Sequence, residues 1–359
     1  MSVRVGCIGV GGIAASHLEN LLRMPAVDVV ALCDLSTAQI ERTRQSVNCA
    51  TAEAQTEAGA ATERSLDAAP YTDYRAMLRD ERLDAVYLCL PPFAHGEPEA
   101  AVIAADLPML VEKPVARDLQ VAARTLKAIR ERGTLAAVGY QLRYADYVQR
   151  ARELLAGRTV GMTVVLRFGG TPGTPWYHRQ DKSGGQMIEM ATHQVDLLRY
   201  LVGEVSSVYS AAATRINHRE RPDYDIFDVN CMTLTFENGA VASFACNFIA
   251  PHGSPPDARG VHIFCDGLTL SLGATLRAMY SDHTDEWPAD TDMMVREDRA
   301  FIQAVAAGRP ELIKSDYADA VRTLAVTVAN DRSARSGQPV DVRALLAEID
   351  MSTYDGSQD

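Results

Sequence analysis

No run of lysine or arginine long enough to follow a phosphate backbone occurs in these 359 residues, and 35 basic against 47 acidic side chains leave a formal charge of −12. Nucleic acid is therefore not an expected partner. No apolar stretch approaches the length of about 18 residues that a membrane span requires. MSVRVGCIGV runs directly into a strand pattern without a charged leader or a small-residue cleavage site. These absences predict a soluble, cytoplasmic chain that does not engage a membrane. C-x-x-C is missing as well: seven cysteines are scattered at 7, 33, 49, 89, 231, 246 and 265, four of them (7, 33, 89 and 246) inside apolar runs. Such cysteines read as small core residues in a reducing compartment. The length suits two domains of ordinary size.

What is present begins with alternation. From Val3 to Val138 short β-branched runs (VRVGCIG, VDVVALCD, DAVYLCL, PMLVE, LAAVG) alternate with helical patterns. Near-continuous apolarity in each run predicts a parallel sheet covered by helices on both faces. The first turn, Gly9-Val10-Gly11-Gly12-Ile13-Ala14, is a G-x-G-x-x-A between a strand and a helix. Glycine at 9 permits the tight turn and Gly11 lets a pyrophosphate approach the amides at the helix N-terminus, so Gly9, Gly11, Gly12 and Ile13 are candidate cofactor contacts. Asp34, ending the second strand about twenty residues on, can accept both ribose hydroxyls of an adenosine. The competing reading is a helix cap. A carboxylate there repels a 2′-phosphate, which favours NAD over NADP. The Ala- and Thr-rich stretch 48–68 reads as an extension of the second helix or an exposed excursion.

At the carboxyl edge of the runs DAVYLCL and PMLVE lie two further motifs. Pro91-Pro92 opens a loop followed by His95 at a helix start, and a strand ends in Glu112-Lys113-Pro114, with Pro114 a candidate cis proline. Open α/β sheets bind ligands at that edge, so Pro91, His95, Glu112 and Lys113 join the candidate cofactor contacts. Gln141, after the last strand, is a candidate for the nicotinamide side, and Arg143 for a substrate hydroxyl.

With GVGGIA, ALCD, PYTDYRAML, PPFAH, VEKP, GYQLRY and SGGQMIEMATHQVDLLRYLVGE in this order, the chain resembles the Gfo/Idh/MocA family of NAD(P)-dependent sugar and cyclitol oxidoreductases over essentially its whole length. The resemblance implies that Lys113 sits beside the nicotinamide and the substrate hydroxyl, and that Glu189 and His193 match the family's acid and histidine four residues apart. Most members carry Asp where this chain has Glu189, so the acid's role transfers least directly.

Alcohol oxidation needs a base and a group that stabilises alkoxide charge; His193 is assigned the first role, assisted by Lys113 in the second, with a desolvated Lys113 the alternative base and Glu189 orienting His193 or a substrate hydroxyl. On one continuous helix at about 100° per residue, Glu189, His193 and Asp196 fall within roughly 60° of each other. That predicts an amphipathic helix whose polar stripe carries all three, with Asp196 equally readable as a structural contact. A metal site is disfavoured, because no cysteine cluster or second spaced histidine pair accompanies His193.

Beyond Thr159 the pattern turns to strands separated by hairpin signals at Glu237-Asn238-Gly239 and Asp266-Gly267. The expected architecture is an α/β N-terminal Rossmann domain, a doubly wound parallel sheet, over 1–142. A C-terminal α+β domain with a large open, mostly antiparallel sheet is expected over 143–359. The resemblance implies that this second sheet binds substrate and joins copies into a homo-oligomer, a dimer or tetramer. Trp176, in a Gly- and Pro-rich loop, could stack on a sugar ring or anchor its loop. No arginine cluster suggests a phosphate, so a neutral polyol or sugar is the expected substrate. Two other functions fit the same motifs: a glycosidase-type enzyme with transient NAD redox, and a non-catalytic dinucleotide- or sugar-binding regulator.

Overall fold

The computed structural model describes residues 2–58, 64–250, 259–289 and 292–351. The chain divides into two compact units, one of Met1–Glu112, Arg124–Gln141 and Met294–Tyr317, the other of Lys113–Ala123, Leu142–Met293 and Ala318–Asp359. One crossing falls beside the boundary expected at 142/143; the remaining crossings have no signature in composition.

In the first unit the chain runs β1 (Val3–Ile8), α1 (Gly12–Leu22), β2 (Val27–Cys33), α2 (Thr37–Ala58), β3 (Ala69–Tyr71), α3 (Tyr74–Asp80), β4 (Ala85–Leu88), α4 (Glu97–Ala104), β5 (Met109–Val111), α5 (Leu119–Arg132) and β6 (Ala136–Val138). All five strands read from apolar runs are present. Strand β3 was not foreseen, because APY is short and contains a proline that is tolerated only at a sheet edge. It forms that edge, in the parallel order β3-β2-β1-β4-β5-β6. The stretch 48–68 extends α2 as far as Ala58, and residues 59–63 lie outside the described part.

The core of this unit packs β1, β4 and α1 side chains, including Val5, Cys7, Leu18, Leu21 and Tyr87, against Phe301, Ile302 and Ala304 from much later in the chain. Tyr87 and Phe301 meet edge to face at 5.4 Å between ring centroids.

The second unit adds α6 (Asp146–Leu155), β7 (Val160–Phe168), α7 (Gln180–Ser183), α8 (Gln186–Glu189), α9 (Thr192–Val202), β8 (Val205–Ala213), β9 (Val229–Phe236), β10 (Val241–Asn247), β11 (Gly260–Cys265), β12 (Leu268–Leu272), β13 (Thr275–Met279) and β14 (Thr284–Pro288). Then follow α10 (Met293–Ala307), which carries the returning core residues of the first unit, α11 (Tyr317–Ser336), β15 (Val340–Asp341) and α12 (Val342–Ala347). Nine strands form one sheet in the order β14-β13-β12-β11-β7-β10-β9-β8-β15, antiparallel except where β10 runs parallel to β7. Strict alternation of buried and exposed residues along β9 shows one covered and one open face. Gly239 and Gly267 take positive φ at the two hairpin turns read from sequence.

Candidate active site

Gly9 has φ +82°, and a Cβ there would fall 2.4 Å from the Cys89 carbonyl oxygen, so only glycine fits. Around Gly11 and Gly12 an added Cβ would meet nothing within 4 Å. No side chain caps α1 and no acid occupies its first turn, leaving the first-turn amides open to an anion. The turn is held from below: Gln39 Nε2 and Thr43 Oγ1 both donate to the Val10 carbonyl, at 3.0 and 2.6 Å. Asp34 accepts from the amides of Val10 (3.2 Å) and Ser36 (3.0 Å). Its carboxylate therefore braces the turn and the start of α2 while keeping further acceptor capacity for ribose hydroxyls. Both alternatives posed for Asp34 are thus geometrically compatible. Leu35, 95% exposed beside Asp34, and Ile13, 37% exposed in the first turn of α1, flank this edge; Leu35 carries no motif that would mark it in sequence. These features fit a dinucleotide.

Not every expected cofactor contact points outward. The His95 ring nitrogens meet the Glu99 carboxylate and the Leu90 carbonyl, and Glu99 in turn accepts from the Gly96 amide at the start of α4. His95 is buried and occupied in forming that helix start. Glu112 is likewise turned into the core: its Oε1 accepts from His17 Nε2 at 3.1 Å, while His17 Nδ1 donates to Asp298 at 2.6 Å. Asp298 also accepts from Asn20 at 2.8 Å. A Cβ at Gly139 would lie 2.6 Å from Glu112 Oε1, which accounts for glycine in GYQLRY. The side chains of His95 and Glu112 thus serve buried internal networks. Pro91 precedes the 3-10 turn Pro92–Ala94 as a loop former. Gln141 keeps a buried Oε1 without a hydrogen-bond donor among the described residues, as a position awaiting an amide would.

The residue after Glu112 opens the second unit. The Lys113-Pro114 bond is cis, and Lys113 Nζ donates to Glu189 twice, to the backbone carbonyl at 3.0 Å and to Oε1 at 3.2 Å. Both side chains are largely buried, at 14% and 5% exposure. Glu189 ends α8 and His193 lies in the first turn of α9, with Met190 and Ala191 between the two helices. The single amphipathic helix expected over 188–201 is therefore two helices. The break lies at the last residue of α8, whose carbonyl is turned over to Lys113. His193 is partly buried, and desolvation, then the Lys113 and Arg167 cations, push its imidazole well below the usual 6.5. It is consequently neutral at neutral pH. Arg167, on β7, is a member of this group that sequence reasoning missed; the available signal was a charged residue in phase with the buried Thr163 and Val165.

Asp196 does not share that setting. Arg143 grips it through Nε (2.8 Å) and Nη2 (2.7 Å), Thr323 donates to it at 3.0 Å, and Arg143 also pairs with Asp319. Arg199 joins Asp319 to Glu204. Burial pushes Asp319 up, but Arg199 and Arg143 outweigh it and hold the carboxyl at about 2. Arg143 was expected to contact substrate; its fork is instead committed to this buried network, which ties α9 to α11. Trp176 stacks on neighbouring Tyr177, with ring centroids 3.9 Å apart and an interplanar angle of 19°. A separate cavity of about 310 Å³, lined by Arg117, Gln180, Gly184, Ile188, Asp331 and Arg332 among others, includes neither Lys113 nor His193.

A parallel sheet opening on an uncapped Gly-rich turn, in a chain whose second unit carries a lysine–carboxylate pair near a neutral histidine, is the frame of an NAD-binding oxidoreductase. The chain belongs to the Gfo/Idh/MocA family: residues 3–140 match its oxidoreductase domain with an NAD-binding Rossmann fold, and residues 148–270 match its C-terminal domain. It is 26% identical over 359 residues to an inositol 2-dehydrogenase of Rubrobacter xylanophilus, covering 96% of this chain and 94% of that protein. To the scyllo-inositol 2-dehydrogenase (NAD(+)) of Bacillus subtilis it is 24% identical over 363 residues, covering 97% and 99%. The match to the B. subtilis oxidoreductase YrbE, 28% identical, spans 66% of this chain and 64% of that protein. A solved oxidoreductase from Agrobacterium radiobacter, in complex with NAD+, L-tartaric acid and magnesium, shares the fold with a TM-score of 0.79 at 17% identity, over 96% of this chain and all of that one.

Proposed function

We propose that this protein is an NAD-dependent dehydrogenase that oxidises a secondary hydroxyl of a cyclitol, sugar or sugar derivative, the first unit holding the dinucleotide and the second the substrate. The observation that carries the reading is the group formed by Lys113, Glu189 and His193, two of them joined through paired hydrogen bonds and the third partly buried and neutral. Relatives named for inositol oxidation support the substrate class.

Bound NAD supplies the hydride acceptor, C4 of its nicotinamide. The chain's part is to hold the dinucleotide and to manage the proton. Open amides at the start of α1 take the pyrophosphate, and Asp34 takes the ribose hydroxyls while repelling a 2′-phosphate. The Gln141 Oε1 is an acceptor for the carboxamide. His193, neutral at working pH, takes the proton from the substrate hydroxyl. Lys113 brings a cation to the developing alkoxide, and Glu189 fixes that ammonium from its carboxylate and its carbonyl at once. Burial of all three keeps these charges poorly screened by water.

Lys113→Ala is expected to lower kcat by about 10²–10⁴-fold, the range for losing a positioned electrostatic or proton-transfer group. NADH binding, followed by fluorescence titration, should change little. Undiminished turnover by this variant removes the mechanism, and tighter binding of NADP than NAD removes the role given to Asp34. The open face of the nine-stranded sheet is the surface assigned to self-association.

A further inference from the structure

The substrate expected from sequence alone is neutral, because no arginine cluster is visible in the chain. Folding changes that charge count. Arg167 lies on β7 in phase with Thr163 and Val165, both fully buried, and is paired in register with Cys246 of β10. Cys246 contacts Gln186, the first residue of α8, at 3.1 Å. Arg167 therefore stands on the covered face of the sheet, on the side of α8 and its Glu189. Its guanidinium lies 5.9 Å from the centroid of the Phe248 ring. Among the described residues no carbonyl or carboxylate accepts a hydrogen bond from it, and no acid stands within ion-pair distance.

Burial and Arg259 both push the Arg167 guanidinium down, opposed by Glu189, whose carboxylate already serves Lys113. Burial pushes the Cys246 thiol up to about 12, so it is uncharged. The carboxylate that acts on Arg167 is thus Glu189, which is shared with Lys113. Arginine does not shed its proton to relieve such crowding. A half-buried guanidinium without a partner is costly, and its planar fork matches a carboxylate through two parallel hydrogen bonds.

We propose that Arg167 is a specificity-determining residue that binds a carboxylate on the substrate, making this a dehydrogenase of acidic sugars or polyols rather than neutral ones. The assignment rests on the dehydrogenase reading above and narrows its substrate class. The planar fork of Arg167 suits a carboxylate, which two parallel hydrogen bonds can hold.

The test is calorimetric titration of the NADH-loaded protein, so that binding is read without turnover, with matched pairs: D-glucose and D-glucuronate, D-galactose and D-galacturonate, D-glucose and D-gluconate. In at least one pair the acid should bind about tenfold or more tightly than its neutral partner, the gain of one charge-assisted fork. Arg167→Met should bring that pair to parity and leave the neutral member's Kd within about twofold, while Arg167→Lys keeps part of the preference. An unchanged NADH affinity and urea midpoint identify a folded variant; should Arg167→Met fail them, Arg167→Lys and Arg167→Gln carry the same comparison. Equal or tighter binding of the neutral member in every pair overturns the proposal. So does an acid preference that survives loss of the guanidinium, or tighter binding of D-glucose 6-phosphate than of every acid. If neutral polyols reduce NAD in a Lys113-dependent way with no acid preference, only this inference fails. If Lys113→Ala leaves turnover intact, the dehydrogenase mechanism fails and the binding comparison still decides the role of Arg167.

Discussion

His17 is fully buried and His193 partly so, yet their imidazoles are driven in opposite directions. For His17, burial lowers the pKa but contacts with Asp298 and Glu112 more than reverse it, leaving it raised well above 6.5. For His193, burial and two nearby cations act in the same direction and lower it. Two pH predictions follow from these signs. Because His193 stays neutral below 6.5, the acid limb of kcat/KM for alcohol oxidation should lie below pH 6.5; a limb at or above that pH would show that His193 is not the base. His17, with a raised folded pKa, contributes stability that is fully present below its unfolded value near 6.5 and is lost as pH rises through the folded pKa. Replacing it by glutamine should cost about 3 kcal/mol at pH 6, because two buried carboxylates lose their cation, and progressively less as pH is raised above 6.5. Urea unfolding of both proteins at pH 6, 7.5 and 9 measures the difference, and a penalty that grows with pH would contradict the assignment.

At the level of elements, α8 and α9 show why a correct residue pattern can still mislead. Spacing placed Glu189, His193 and Asp196 on one face, but periodicity averages over a window and cannot see a two-residue interruption at Met190 and Ala191. The break sends Glu189 to Lys113 and leaves Asp196 among Arg143, Thr323 and their neighbours. Asp196→Ala should therefore act on stability first. Stranding the buried Arg143 fork is expected to cost about 3–5 kcal/mol, read as a lowered urea midpoint, whereas Lys113→Ala should leave that midpoint nearly in place. Equal destabilisation by the two variants would merge roles that the geometry separates. Elements whose signal is local were legible: the five apolar strands of the first sheet, the Gly9 turn, the hairpins at Gly239 and Gly267, and the Lys113-Pro114 turn. Features made by distant partners were not. Arg143 looks available in GYQLRY until Asp196 and Asp319 arrive from two later helices, and Glu112 looks like a ligand contact until His17 reaches it from α1. Helix α10 follows a run of strands in the chain, yet Phe301 closes the core around Tyr87. Arg167 escaped for the converse reason: its environment is defined by cations that lie far from it in sequence.

For the molecule as a whole, the nine-stranded sheet presents a chemical problem on its open face. Register places Val241, Met162, Phe264, Thr269 and Met279 in one row across β10, β7, β11, β12 and β13, and Tyr209, Thr233, Ser243 and Val164 in the adjoining row. Met162, Val241 and Phe264 are each 42% exposed and Tyr209 is 49% exposed. Acidic residues enter these rows only at their ends, Asp341 on β15 and Glu286 on β14, the latter paired with Arg277, so most of the net charge of −12 is borne elsewhere. A broad, partly apolar face whose centre is uncharged, on a strongly acidic chain, is what a second copy of the same face can cover with little charge repulsion. No helix among the described residues is long and apolar enough to cross a membrane. A stable interface between two such faces should bury at least about 1,000 Å² in total. Sedimentation should accordingly show a dimer or tetramer at micromolar concentration. Placing like charges at the centre of the face, Val241→Glu together with Phe264→Glu, should shift the protein to monomer while NADH binding by the first unit persists. A wild-type protein that sediments as a monomer, or a double variant that keeps its assembly, would take the open face out of the assembly and leave its exposed methionines, valine and aromatics without an assigned role.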